Sequence, residues 1–140
     1  CFTEQLYPGV PLLKLHEVEA NVPFVIKDVE VMPLIVMHGK APILAFRIGD
    51  LAYITDMKTI DDSQLAYLYG VDTLVVNALR WEKTHHSHML VDEALEFVSK
   101  VGARQTYFVH MTHHIGLHEG AEARLPDGVH LAYDGLEISF

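Results

Sequence analysis

The chain has 140 residues, 50% of them hydrophobic, and its 10 Lys and Arg against 19 Asp and Glu give a formal net charge of -9 at pH 7. This apolar content suffices for one folded domain and excludes an intrinsically disordered chain. The single cysteine excludes an internal disulfide and favours a reducing compartment, so we expect a cytoplasmic protein. No apolar run reaches the roughly 18 residues of a membrane helix, and the acidic balance argues against binding to long nucleic acids.

The first half of the chain predicts strands. Apolar runs cover residues 24–26 and 29–38, and Pro33 inside the second run predicts a sheet edge or a bulge, because proline cannot donate a backbone hydrogen bond. Two further runs, at 43–48 and 51–55, flank Gly49-Asp50 and predict a hairpin with a two-residue turn.

Strands and helices alternate in the second half. Residues 61–69 predict a short helix that ends at Gly70, and residues 90–101 predict a helix with one apolar face, an acidic first turn and a stop at Gly102. The strands predicted in this half are residues 73–76, 105–109, 129–133 and 136–140, the last two forming a hairpin around Asp134-Gly135. The order of elements predicts a layered α/β or α+β domain.

Four polar side chains follow apolar strands directly: His38, Asp56, Asn77 and His110. In layered α/β folds, binding sites collect where the strands end. Imidazole and carboxylate together suit zinc, manganese or iron better than calcium or magnesium. Each residue also has an ordinary structural interpretation, as a histidine bonded to backbone or an aspartate that caps a turn. For Asn77 we expect the structural role.

Two clusters of histidines lie beside these positions. His85, His86 and His88 precede the helix at 90–101, whose N-terminus favours an anion. His113, His114 and His118 follow the strand that ends at His110. For His85, His86 and His118 we expect solvated loop positions.

Six segments, in this order, resemble the C-terminal part of a metallo-β-lactamase-fold hydrolase, in the branch that includes ribonuclease Z-like proteins and cyclic-phosphate phosphodiesterases. They are VMHG at 36–39, AYITD at 52–56, VNALR at 76–80, HMLVDEAL at 88–95, YFVHMTHH at 107–114 and LAYDG at 131–135. The resemblance implies an α/β fold, namely the C-terminal half of a four-layer αββα sandwich, with residues 1–140 as a single partial domain.

The resemblance also implies roles for individual residues. His38 and His110 match histidine ligands of the family, and Asp56 matches the carboxylate that bridges two divalent ions, zinc or manganese. His88 matches a histidine that lies near the scissile phosphate and protonates the leaving group. His113 and His114 are candidate substrate-binding residues on the same rim.

The family's His-x-His-x-Asp-His run, which supplies most of its metal ligands, is absent from these 140 residues. Together with a start at Cys1 rather than methionine, this predicts that the chain is the C-terminal portion of a longer parent protein. The chain alone is then expected to bind metal weakly or partially and to be inactive.

Three functions are consistent with the sequence. In the first, the parent is a metal-dependent phosphodiesterase that acts on a small phosphodiester through a two-metal-activated water. In the second, it is a hydrolase of the same fold that acts on a thioester, lactone or amide. In the third, the chain is a non-catalytic fragment or partner-binding half-domain, whose exposed sheet face is covered by a partner or, in a homodimer, by a second copy.

Overall fold

A computed structural model describes Pro11 and residues 13–140. Within that part, seven strands form one sheet in simple chain order. The strands are β1 Phe24–Ile26, β2 Val29–His38, β3 Ala41–Ile48, β4 Leu51–Ile54, β5 Thr73–Asn77, β6 Gln105–Val109 and β7 Val129–Leu131. The helices are α1 Asp62–Leu65, α2 Val91–Val101 and α3 His118–Glu122, with 3-10 turns at Ala66–Leu68 and His113–Ile115. The expected α/β class is confirmed.

Strands β1 to β4 are antiparallel and are joined by two-residue turns. The first turn residue has a positive φ in each case: 55° at Lys27, 63° at Gly39 and 57° at Gly49. This is the conformation that type II′ hairpin turns require, because it matches the right-handed twist of the strands. The hairpin predicted around Gly49-Asp50 is therefore confirmed.

Pro33 lies where β2 has a free edge beyond the short β1. Its carbonyl points away from β3 and accepts a hydrogen bond from the backbone of Asn21 at 2.8 Å. Two residues further, the Ile35 amide donates to the Gln64 side chain at 2.9 Å. The missing N–H of proline thus costs no ladder bond, and the predicted edge position is confirmed.

Strands β4 to β7 are parallel to one another. Every residue of β5 is buried, as expected for a central parallel strand. Helix α2 buries Val91, Ala94, Phe97 and Val101 and ends at Gly102, which has a φ of 73° in the left-handed region. The predicted helix is confirmed.

The two faces of the sheet differ in their cover. The residues on the helix-covered face are fully buried and belong to one core cluster; they include Leu34, Val36, Ala52, Ile54, Leu74, Val76 and Phe108. On the opposite face, the register aligns Phe46, Tyr53, Val75 and Tyr107 in one cross-strand row. Tyr53 in this row is 45% exposed. A partner or a second copy of the chain on this face stays a prediction.

The predicted C-terminal hairpin is wrong. Strand β7 ends at Leu131, and residues 136–140 form no strand. A turn does form, because the Leu136 amide donates to the Tyr133 carbonyl at 3.1 Å. Its positive φ, however, falls on the second central residue, Gly135, at 87°. A turn of that type splays the two chain segments instead of pairing them.

No helix among the described residues has the length and apolar character needed to cross a membrane.

Candidate metal centre

Three side chains converge at the carboxyl end of the parallel strands. Asp56 follows β4 by two residues, His110 directly follows β6, and His88 lies in the loop before α2. The Asp56 Oδ1 atom lies 3.0 Å from His110 Nε2 and 3.7 Å from His88 Nε2. The two Nε2 atoms are 3.0 Å apart.

These spacings fit a metal ion. Zinc binds imidazole nitrogen and carboxylate oxygen at about 2.0–2.2 Å, so tetrahedral ligand atoms lie about 3.3 Å from one another. The three atoms all lie within 4.8 Å of each other, and their pairwise distances bracket that spacing. One carboxylate with two imidazoles is a donor set for zinc or manganese.

His38 stands beside this triad. Its Nδ1 donates to the backbone carbonyl of Asp56 at 2.8 Å, which leaves the Nε2 lone pair free for a ligand. Its ring contacts that of His88 edge-on, with the centroids 4.6 Å apart. Described residues His38, Asp56, His88 and His110 therefore share one rim, as expected for side chains at strand ends, and their assigned roles stay predictions.

Burial, followed by the nearby rings of His110 and His38, lowers the pKa of His88 below its ordinary value, and Asp56 offsets this only in part. On its other side, His88 Nδ1 lies 3.2 Å from the Ser87 hydroxyl and 3.1 Å from His85 Nδ1. His85 is thus part of the site's support, contrary to the expected solvated position. Its own pKa is lowered, first by burial and then by His86.

Asn77 fixes the segment that follows Asp56. Its side-chain oxygen accepts from the Met57 amide at 2.7 Å, and its side-chain nitrogen donates to the Met57 carbonyl at 2.8 Å. Asn77 is completely buried. The expected structural role of Asn77 is confirmed.

Glu93 connects the two loops that carry Asp56 and His88. Its carboxylate accepts from the Leu90 amide at 2.7 Å and from Lys58 Nζ at 2.7 Å. The Lys58–Glu93 pair was missed at the sequence level. A Glu three residues after a helix N-cap is the usual signal, but the cap here is Leu90, and the familiar Ser or Thr is absent.

Gly39 and His110 each adopt a left-handed backbone conformation at the rim. Gly39 has a φ of 63°, and a Cβ there would lie 3.3 Å from the His86 carbonyl. His110 has a φ of 59°, which is uncommon for a residue with a side chain. Such residues concentrate at functional sites.

His113 and His114 do not belong to the triad. Their rings lie against each other at 3.9 Å, and both are exposed. His114 borders a cavity of about 290 Å³, with Arg80, Lys83 and Arg124 among its other lining residues. The predicted part of both residues in substrate binding stays a prediction. His118 is exposed, as expected, and its Nε2 lies 3.3 Å from the Leu131 carbonyl.

Residues 2–111 match the sequence profile of the β-lactamase superfamily domain. The chain belongs to this superfamily. A solved diphosphatase of the PhnP family shares 35% identity with the chain and superposes with a TM-score of 0.86 over 91% of this chain and 49% of its own. The human short-form tRNase Z shows the same fold at 17% identity, with a TM-score of 0.65 over 83% of this chain and 44% of its own. The expected resemblance to metallo-β-lactamase-fold proteins is thereby confirmed.

A curated protein from Porphyromonas gingivalis, named octanoyltransferase, is 40% identical over 136 residues, which are 97% of this chain and 28% of that protein. The chain thus spans about half the length of the PhnP-family structure and a smaller share of this curated relative.

Proposed function

We propose that the chain supplies part of the metal site of a metal-dependent phosphodiesterase, with zinc or manganese as the ion. The observation that carries the proposal is that Asp56 Oδ1 lies 3.0 Å from His110 Nε2 on the rim of the sheet, with His88 Nε2 at 3.7 Å from the same oxygen. The 35% identity with a diphosphatase supports a phosphate substrate.

Asp56 and His110 are the ligands in this proposal, and His38 offers its free Nε2 to a second ion. A bound divalent ion would offset the charge on phosphate oxygens and favour ionisation of water near neutral pH. The chain also orients the ligands. The Asp56 carbonyl accepts the 2.8 Å hydrogen bond from His38 Nδ1 and so fixes the tautomer of His38.

His88 is the proton donor in this proposal. In the cationic form that acts as an acid, Nδ1 donates to the Ser87 hydroxyl oxygen across 3.2 Å, and Nε2 carries the other ring proton toward Asp56 and His110. There it can protonate the oxygen that leaves phosphorus. The lowered pKa of His88 makes its cationic form a stronger acid but a smaller fraction at neutral pH.

A metal titration tests the site. We expect the 140-residue chain to bind zinc in calorimetry, and Asp56→Asn and His110→Gln to weaken binding by at least about tenfold each. His113→Gln is the matched control and should leave binding unchanged. A folded chain that takes up no zinc or manganese would favour the non-catalytic half-domain.

An activity assay on the full-length protein with zinc or manganese tests the reaction. We expect hydrolysis of bis-p-nitrophenyl phosphate and of alkyl phosphodiesters. His88→Gln should lower kcat by about 10²-fold or more for the alkyl leaving group, which needs a proton, and by much less for p-nitrophenolate. Equal losses for both leaving groups, together with weaker metal binding, would instead make His88 a ligand.

The name of the curated relative favours a second candidate, an acyl substrate such as an octanoyl thioester. The same carboxylate and imidazole donors suit hydrolysis of a thioester, with His88 positioning the substrate. Cleavage of octanoyl thioesters but of no phosphodiester by the full-length protein would overturn the phosphodiesterase proposal.

A further inference from the structure

Three residues of the loop before α2 form a triangle of short contacts behind the rim. His85 Nδ1 lies 3.1 Å from His88 Nδ1, and the Ser87 hydroxyl oxygen lies 3.2 Å from each of these nitrogens. The Ser87 amide donates to His85 Nδ1 at 3.3 Å. These contacts engage Nδ1 of His88 and leave its Nε2 facing Asp56 and His110.

The Ser87 amide determines where the protons of this triangle lie. A backbone N–H can only donate, so His85 Nδ1 presents a lone pair, and the proton of the neutral His85 ring is on its Nε2. A lone pair on His88 Nδ1 would face this one across 3.1 Å, and the two would repel. His88 Nδ1 therefore carries a proton.

The Ser87 hydroxyl completes the same arrangement. Its oxygen accepts from His88 Nδ1, and its proton is donated to His85 Nδ1, both across 3.2 Å. His85 is thus the terminal acceptor of a short chain of hydrogen bonds that starts at the His88 ring. Such chains strengthen when they are shielded from water, and Ser87 is only 5% exposed.

The backbone around the triangle is held in place by packing. A Cβ at Gly39 would lie 3.3 Å from the His86 carbonyl oxygen and 3.5 Å from Ser87 Cβ, so the loop lies directly against the turn between β2 and β3. The His86 ring stacks on that of His85, with the centroids 4.6 Å apart. The Leu79 amide donates to the Met89 carbonyl at 2.9 Å, which fixes the loop just after His88.

The position of the Nδ1 proton decides how His88 can act as an acid. When the cationic ring releases its Nε2 proton, the N–H bond at Nε2 breaks, an O–H bond forms on the leaving oxygen, and the neutral ring keeps its proton on Nδ1. A hydrogen-bond acceptor at Nδ1 stabilises this product and holds the ring in place. The aspartate of a serine hydrolase does the same for its histidine.

We propose that His85 and Ser87 are positioning residues for His88. They hold the Nδ1 proton of the ring and so keep Nε2 as the nitrogen that protonates the leaving oxygen. Neither residue contacts the substrate in this proposal. The part in proton transfer rests on the proposed phosphodiesterase function, whereas the tautomer of His88 does not.

NMR spectroscopy tests the tautomer without any reaction. The 15N-labelled 140-residue chain is kept metal-free with a chelator at about pH 9, where imidazole is neutral. Long-range 1H–15N spectra distinguish protonated from unprotonated ring nitrogens, and His88→Gln identifies the His88 signals. We expect Nδ1 of His88 to be protonated. In His85→Leu the Ser87 hydroxyl is free to donate to His88 Nδ1 instead, so the proton should move to Nε2.

His85→Asn is the conservative variant, because its Oδ1 replaces Nδ1 as an acceptor at the same distance from the backbone. It should keep the proton on His88 Nδ1. Thr84→Val removes an exposed hydroxyl from the same loop and should also leave the tautomer unchanged. A wild-type His88 protonated at Nε2, or no change in His85→Leu, would overturn the assignment.

Kinetics of the full-length protein with zinc or manganese test the part in proton transfer. His85→Leu should lower kcat about tenfold for an alkyl phosphodiester with KM unchanged, and have little effect on bis-p-nitrophenyl phosphate, whose leaving group needs no proton. His85→Asn should recover most of the loss, and Thr84→Val should cause none.

A merely structural role would give a different result. Equal losses for both leaving groups, or no recovery in His85→Asn, would overturn the positioning role, provided that circular dichroism shows the variants to be folded. If the full-length protein cleaves no phosphodiester but His88 shows the expected tautomers, the proposed function fails and the hydrogen-bond assignment stands.

Discussion

Each end of the parallel strands carries an aspartate beside basic side chains, but the aspartate is paired with an arginine at one end and surrounded by histidines at the other. At the amino end, the Asp50 carbonyl accepts from the amides of Asp72 and Thr73, and Asp72 forms a bidentate ion pair with Arg104 at 2.9 and 2.8 Å. At the carboxyl end, one carboxylate, Asp56, faces the rings of several histidines.

The pKa shifts express the same contrast. The hydrogen bond with Arg104 lowers the pKa of Asp72 and raises that of Arg104, so each partner favours the charge of the other. At the carboxyl end, burial and the neighbouring imidazoles lower the pKa of His88. At the amino end each charge has an opposite partner, whereas the carboxyl end holds one carboxylate beside imidazole lone pairs, an arrangement suited to a cationic ligand.

The largest loss of stability is expected from removing the buried Asn77 side-chain amide, which holds the segment after Asp56 at the carboxyl end of the strands. Asn77→Ala would leave the buried N–H and C=O of Met57 without partners, and we expect a loss of about 3 kcal/mol of unfolding free energy in urea denaturation. A change within about 0.5 kcal/mol would show that water or a shifted loop replaces Asn77 easily.

Glu93→Gln tests the link between the two loops of the rim, with an expected loss of about 1 kcal/mol. Burial acts to raise the pKa of Glu93, but the Leu90 amide and Lys58 outweigh it, so this pKa lies below its ordinary value of 4.5. The stabilisation is therefore present above about pH 4.5 and is lost as the pH falls further. Denaturation from pH 7 to 3.5 should show the two proteins converging, whereas a constant difference would contradict this.

Thr106→Val should change the unfolding free energy in the opposite direction from Asn77→Ala. Both residues are completely buried in neighbouring strands, but the Thr106 hydroxyl has no hydrogen-bond partner among the described residues. Removing it should raise the unfolding free energy by about 1 kcal/mol, measured in the same urea series. A loss instead would mean that the hydroxyl contributes a contact in solution.

The smallest effect is expected at the amino end. Arg104→Gln removes an exposed ion pair whose partners are both screened by solvent. The destabilisation should be smaller than for any variant above and should disappear in high salt, as thermal denaturation at low and high ionic strength would show. An effect independent of salt would point to packing of the arginine side chain.

Much of the fold could be predicted because apolar periodicity marks β2 to β6 and helix α2. The C-terminal hairpin could not, since Gly49-Asp50 and Asp134-Gly135 are both plausible hairpin turns in sequence. They differ in which turn residue has the positive φ. It is the first residue, Gly49, in the turn that forms a hairpin, and the second residue, Gly135, in the turn that does not.

The rim that carries Asp56 and His110 could be anticipated because parallel strands end at a common edge, which brings these two residues together. Its supports could not. The pairing of Lys58 with Glu93 joins residues 35 positions apart through two irregular loops, where no periodicity applies. The cavity lined by Arg80, Lys83, His114 and Arg124 likewise depends on how the segments at 80–83, 114 and 124 meet.

Asn77 forms with Met57 the paired hydrogen bonds that normally join two neighbouring strands. Its carboxamide presents one donor and one acceptor to a single residue, Met57, in the way that one peptide unit addresses its neighbour in a ladder. The Asn77 side chain thus replaces the backbone pairing that β4 and β5 no longer make beyond Ile54. The residue just before Met57 is Asp56, whose position is therefore set with the precision of a paired strand although it lies in a loop.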